Sequence, residues 1–205
     1  MKILKSYSIG RLHELAVDYI YHNGKEVRTE NGEMTLQTQP LCLVTETPFD
    51  EYRISVHSPF NKAFMDKYTN DLLYGCESEF SYTYHERLFE NPNQINYIVK
   101  KLLEEPTTRR AVACTWRPEH DEKEPNCPCL QYVQCTLNDG QLDMTVLFRS
   151  NDMLSALGSN MYALTYLQKY IAELINYPVG TYTHISIVPH IYHIRDASDL
   201  ERFVK

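Results

Sequence analysis

The residues best suited to chemistry lie in one run, 126–160, NCPCLQYVQCTLNDGQLDMTVLFRSNDMLSALGSN. Cys129 follows Pro128 at the mouth of a stretch rich in Tyr, Val, Leu and Thr, and Arg149-Ser150 closes a second such stretch. A thiolate is a nucleophile, and nearby positive charge lowers a thiol pKa. The same guanidinium could hold an anion such as a phosphate through charge-assisted hydrogen bonds. A hairpin must bring the two together. Residues 130–136 and 142–148 read as its strands, and Asn138-Asp139-Gly140 supplies the positive-φ residues of a tight turn. Folding back sets Cys129 near Arg149, so the expectation is a thiol whose pKa that arginine depresses.

In these residues the chain resembles the thymidylate synthases. Pro128-Cys129 is similar to that family's Pro-Cys nucleophile motif, and Gln134 stands where the family has a Gln on the same strand. Arg149-Ser150-Asn151-Asp152 resembles its Arg-Ser-x-Asp motif, and Asn160 falls at the spacing of its pyrimidine-reading Asn. Outside the run, Arg109-Arg110 followed by Trp116, and His190-Ile191-Tyr192, match in order and spacing. The segment from Ser81 to Arg87 resembles the family's Tyr-Gly-x-Gln-Trp-Arg, with Tyr84 at the active-site Tyr, although His85 replaces Gly and Glu86 replaces Gln. Leu130 stands where many members have His, and Val188 where many have Asp.

The resemblance implies an α/β (α+β) fold, a large mixed β-sheet covered by helices, with a sheet face forming a homodimer. It implies that Arg149 and Ser150, with Arg109 and Arg110 from the partner subunit, clamp the 5′-phosphate of dUMP. His190 and Tyr192 would bond the ribose 3′-hydroxyl, Gln134 would support the site, and Asp152 would hydrogen-bond a reduced pterin. Arg28 is either a further phosphate contact or a solvated turn arginine. Cys129 would add to C6, and Tyr84, a site residue or a core filler, would help remove the C5 proton through water. Asn160 is informative by its own chemistry. A carboxamide offers one donor and one acceptor face, matching O4 and N3–H of uracil, and cytosine presents the opposite pattern.

The co-substrate implied is 5,10-methylenetetrahydrofolate or, since the short form resembles archaeal members, methylene-tetrahydromethanopterin. Hydride delivery would give dTMP, water capture would give a hydroxymethyl product, and a nucleotide-binding relative without turnover is the third reading. The family's shielding tryptophans are absent, Trp116 being the single Trp, and a counterpart of its C-terminal closing segment is not expected after the short helix over 197–204. Its catalytic Glu has no assigned counterpart; Glu77 and Glu79 stand nearby, each either a candidate for it or an exposed carboxylate.

A chain of 205 residues can bury one sizeable core, and one domain over 1–205 is expected. A formal charge of −7 argues against a nucleic-acid binder. No apolar run approaches membrane-spanning length and no signal peptide is visible, so no membrane association is expected. Six cysteines lack the density of a secreted disulfide scaffold, which fits reduced thiols in a cytoplasmic protein. Cys127 and Cys129 are spaced too closely for a usual zinc pair, so no metal is expected.

Around the hairpin, apolar spacing predicts helices over 10–22, 60–74, 91–103 and 160–176, with a short one over 197–204. Extended segments are expected over 33–47, interrupted at Pro40, over 111–116, and over 183–193, where His190 and Tyr192 share a face. Residues 117–125 read as a charged loop.

Overall fold

The computed structural model describes residues 1–77, 82–90 and 92–204. Strand β1 (Lys2–Lys5) leads into helix α1 (Ile9–Asn23), which buries Leu12, Ala16, Val17 and Ile20 completely. Ser8 caps it by accepting from the Arg11 N–H at 3.2 Å, satisfying a first-turn donor. Then come β2 (Lys25–Arg28), β3 (Met34–Gln37) and β4 (Leu41–Thr45). The extended stretch divides at Pro40, since proline cannot donate to a strand ladder. Helix α2 (Lys62–Tyr74) is capped by Asn61 and stops at Gly75, whose φ of 83° a residue with a Cβ rarely adopts.

Next is α3 (Tyr84–Phe89), a helix where the sequence shows no periodicity, followed by α4 (Gln94–Glu104). Asn93 caps α4; Asn91, the expected start, lies outside the described residues. Strand β5 (Val112–Cys114) and the short helix α5 (Pro118–Asp121), inside the expected loop, lead to the hairpin of β6 (Leu130–Asn138) and β7 (Gln141–Asp152). Its turn uses Asp139 at φ 49° and Gly140 at φ 75°, the two positive values that a tight hairpin turn demands. Helix α6 (Leu157–Ile175) carries the chain across to β8 (Val179–Ile191), and α7 (Ala197–Phe203) closes the series. Asn176 ends α6 in the left-handed conformation, its N–H returning to the carbonyls of Ala172 and Glu173.

Among the described residues eight strands form one sheet, ordered β1-β4-β8-β7-β6-β5, with β3 beside β8 and β2 beside β3. β1–β4 and β7–β8 are parallel and the other pairs antiparallel. The mixed sheet covered by helices is therefore as expected. A parallel β7–β8 pair requires a long crossover, which α6 supplies. Along β7, Leu142, Met144, Val146 and Phe148 are fully buried, whereas Thr145 and Leu147 are only half-buried. This alternation marks a sheet with one face in the core. The outcome that matters for the site is placement: β7 ends beside β8, and the first turn of α6 follows at once.

Candidate active site

The hairpin brings its two ends together as expected. The Arg149 N–H donates to the Cys129 carbonyl at 2.9 Å. The Arg149 side chain then grips the chain just ahead of the cysteine. Nε donates to the Pro128 carbonyl at 2.9 Å, and Nη2 reaches the Cys127 carbonyl at 2.8 Å and the Cys127 sulfur at 3.2 Å. A planar fork suits this two-pronged hold, and a lysine could not reproduce it.

The expected depression of the Cys129 pKa is not what the structure shows. Burial pushes the thiol above its ordinary value, and Arg149 offsets only part of that rise. Taking sulfur out of water disfavours its charged form, and here that outweighs one neighbouring guanidinium.

Cys129, Arg149, Ser150 and Asp152 line a cavity of about 610 Å³. Tyr84, Asn160, His190 and Tyr192 line the same cavity. Its size falls in the range of small-molecule sites. The other four expected residues stand outside its wall. Arg109 and Arg110 are exposed at the entry to β5, and Gln134 donates to the Arg109 carbonyl at 3.2 Å rather than facing the cavity. Arg28 is exposed and lies over Gly32 of its own turn, while Thr29, Glu30 and Asn31 beside it do line the cavity. Glu77 is exposed and away from this wall; Glu79 and Ser81 lie outside the described residues.

The floor is set where β7 meets β8 and α6. The Asp152 carboxylate accepts from the N–H groups of Leu154 and Ser155, both at 3.1 Å through Oδ1, and Oδ2 takes a 3.0 Å bond from Arg195. These bonds hold the turn that leads into α6, and Asn160 lies one turn inside that helix. Gly158 permits the approach of α1, because a Cβ there would come within 2.8 Å of the His13 ring, which itself reaches the Leu154 carbonyl at 3.1 Å. His190 is buried and its Nδ1 donates to the Val188 carbonyl at 3.1 Å, so Nε2 is the ring nitrogen not engaged by that bond. Tyr192 packs edge-on against it at 5.2 Å.

Helices α2 and α3 supply the other wall, which is aromatic. Thr83 caps α3 by accepting from the Glu86 N–H, and Thr83-x-x-Glu86 is a capping pattern legible in the sequence. The helix is anchored from below by the buried pair Arg87–Asp121, with Nη2 to Oδ1 at 2.8 Å and Nη1 to Oδ2 at 3.2 Å. Tyr84, its first residue, accepts from the Leu130 N–H at 3.1 Å, directly after the cysteine. Burial holds Tyr84 well above the usual phenol range, so it keeps its proton. Tyr82 lies 5.8 Å from it, and both line the cavity.

Two wall residues have no sequence signal of their own. Tyr68, on α2, donates to Asn160 Oδ1 at 2.9 Å. Asn151 is buried, and its Oδ1 accepts from His184 Nε2 at 2.9 Å, while Tyr182 bonds the other His184 nitrogen at 3.1 Å. Burial pushes His184 down to about 3, so the ring is neutral and can donate and accept at once. No group of three or more His, Cys, Asp or Glu suited to a metal occurs among the described residues, and no helix among them is long and apolar enough to cross a membrane.

The sequence model of the thymidylate synthase family matches residues 56–202. A protein of Methanocaldococcus jannaschii, provisionally named a thymidylate synthase, is 37% identical over 214 residues, covering 99% of this chain and 96% of its own. Proteins with the same provisional name from Methanosarcina barkeri and Methanopyrus kandleri are 32% and 29% identical, over 100% and 97% of this chain and 95% and 96% of theirs.

Proposed function

The chain belongs to the thymidylate synthase family, and on that premise we propose that it transfers a one-carbon unit from a methylene-tetrahydropterin to C5 of dUMP through a covalent Cys129 adduct, giving dTMP. The observation that carries this reading is convergence: a cysteine, a phosphate-capable arginine, a carboxamide and a histidine acceptor from separate elements line one cavity.

The phosphate lies against Ser150 and Arg149, whose Nη1 is left over from the grip on residues 127–128. Exposed Arg109 and Arg110 of a second copy complete the clamp in a homodimer. His190 Nε2 accepts from the ribose 3′-hydroxyl beside Tyr192. Held this way, C6 of the ring faces the sulfur, and such positioning lowers the barrier by removing the entropy of encounter. As sulfur adds to C6, the ring electrons move toward O4, where the Asn160 amide donates. Donors fixed in advance toward developing charge account for much of the rate enhancement in many enzymes. A water held by the Tyr84 hydroxyl takes the C5 proton while Tyr84 keeps its own, and as the C5–C6 double bond re-forms the Cys129 sulfur leaves C6 and frees the product.

The reduced pterin supplies the one-carbon unit and, for the methyl product, a hydride. The residues fit it: Asp152 lies on the cavity wall with acceptor capacity beyond its three hydrogen bonds. Folate and methanopterin carriers share the pterin head that a carboxylate would meet. No tryptophan is among the lining residues, and exclusion of water is what separates hydride transfer from capture of the one-carbon unit by water; this favours hydroxymethyl transfer as the second reading.

Mass analysis of the nucleotide after incubation with dUMP and each methylene carrier tests the reading. Gain of a methyl group is expected. Gain of a hydroxymethyl group establishes the second reading instead. Tight dUMP binding without tritium release from 5-³H-dUMP means that turnover is absent. Cys129→Ser should lower tritium release by about four orders of magnitude while dUMP still binds.

A further inference from the structure

We propose that Tyr68 sets the base preference of this cavity by fixing which end of the Asn160 carboxamide faces the pyrimidine. The proposal rests on the nucleotide reading above and goes beyond it, because Tyr68 touches no reacting atom.

Asn160 is buried in the first turns of α6, and its Oδ1 accepts from the Tyr68 hydroxyl at 2.9 Å. A carboxamide can turn over about its last bond, exchanging donor for acceptor. Alone, Asn160 could therefore present the face that suits uracil or the face that suits cytosine. The phenol breaks that symmetry. With its proton on Oδ1, the amide keeps one acceptor site for N3–H and turns Nδ2 toward O4, the uracil pattern. Turned over, Nδ2 would point its hydrogens at the phenol, and the phenolic proton would have to find another acceptor beside Tyr82 and Cys129.

The ring has little freedom to yield. Tyr68 is the last of three near-parallel rings, Phe60 just ahead of α2 and Phe64 and Tyr68 one turn apart on it: Phe60 and Phe64 have centroids 4.1 Å apart at 15°, and Phe64 and Tyr68 lie 6.4 Å apart at 12°. Burial raises the Tyr68 pKa, so the hydroxyl remains a donor across the working pH range. Donation to Oδ1 also polarises the amide and strengthens Nδ2–H toward the charge that builds on O4 during addition at C6. Tyr68 is thus a positioning residue acting through Asn160. A carboxamide with a fixed orientation accepts uracil and rejects cytosine by leaving polar groups without partners, and such mismatches discriminate well.

The test compares dissociation constants for dUMP and dCMP in the wild-type protein, Tyr68→Phe, Asn160→Ala and the double variant. The phenylalanine keeps the ring and its stacking, and removes only the hydroxyl. The dUMP-over-dCMP preference should shrink about tenfold in Tyr68→Phe, the effect of losing one orienting hydrogen bond. In the Asn160→Ala background the same change should leave the preference unmoved, since the amide it orients is gone. A purely structural role would weaken both nucleotides equally and leave the ratio intact, which overturns the proposal. A wild-type protein that prefers dUMP, with a Tyr68→Phe ratio equal to it, sinks the assignment to Tyr68 alone. A wild-type protein that binds both nucleotides alike overturns the Tyr68 proposal and leaves the nucleotide site standing, whereas one that binds neither removes the nucleotide reading and Tyr68 with it.

Discussion

The cavity has two walls built on different principles. The hairpin wall carries Cys129 and Arg149, and its decisive contact joins residues 20 apart through one turn: the Arg149 N–H on the Cys129 carbonyl. The aromatic wall carries Tyr68, Tyr82 and Tyr84, and its contacts span the chain. Tyr84 meets Leu130 across 46 residues, and Tyr68 meets Asn160 across 92. On the first wall a strand register decides where charge meets sulfur. On the second, helix packing decides it, and what is decided is protonation and orientation. The chemistry would be supplied by one wall and tuned by the other.

If the walls are separable, each should fail in its own way. The largest effect belongs to the foundation of the aromatic wall. Asp121→Asn leaves the buried Arg87 guanidinium without its charge partner beneath α3, and Asp121 also accepts from the Arg117 N–H at 2.7 Å. Removing one member of a buried ion pair costs about 3–5 kcal/mol. Urea unfolding should show that loss, and a midpoint within error of the wild type would mean that α3 does not depend on the pair. The next effect is on the hairpin wall. Arg149→Lys retains positive charge but cannot hold the Pro128 and Cys127 carbonyls together. Misplacing the nucleophile by this route should lower kcat/KM for tritium release by about a hundredfold with little change in stability. A loss below about threefold would assign Arg149 no part beyond its charge.

The two walls also differ in how far the sequence discloses them. Alternation over 130–148 and the Asp139-Gly140 turn are local, and the observed β6–β7 hairpin extends the expected strands by only a few residues at their ends. Helices α1, α2 and α6 follow apolar spacing closely, because each buries a face against the same core. Strands β1 and β2 escape a reading of the sequence, since Lys-Ile-Leu-Lys and Lys-Glu-Val-Arg are too short and too exposed to carry a pattern. Helix α3 is hidden by its aromatic residues, although the Thr83-x-x-Glu86 cap is there to read. Nothing near Tyr68 in the chain announces Asn160. The direction of the Cys129 shift runs against expectation for the same reason: a neighbouring charge can be read from a hairpin, whereas burial is the sum of everything packed around it.

That upward direction gives the finest test of how the walls share control of the sulfur. An acid whose pKa is raised keeps its proton to higher pH, so Cys129 should be mostly thiol throughout the neutral range. Its alkylation by iodoacetamide, taken as the difference between the wild type and Cys129→Ser, should rise about tenfold per pH unit from pH 6.5 without levelling below the ordinary thiol value of about 8.5. Arg149→Met removes the charge that opposes burial and should move the curve further toward high pH. A curve that levels below about pH 8 would mean that the guanidinium outweighs the aromatic surroundings. One that Arg149→Met leaves in place would mean that Arg149 acts on the chain around Cys129 and not on its proton.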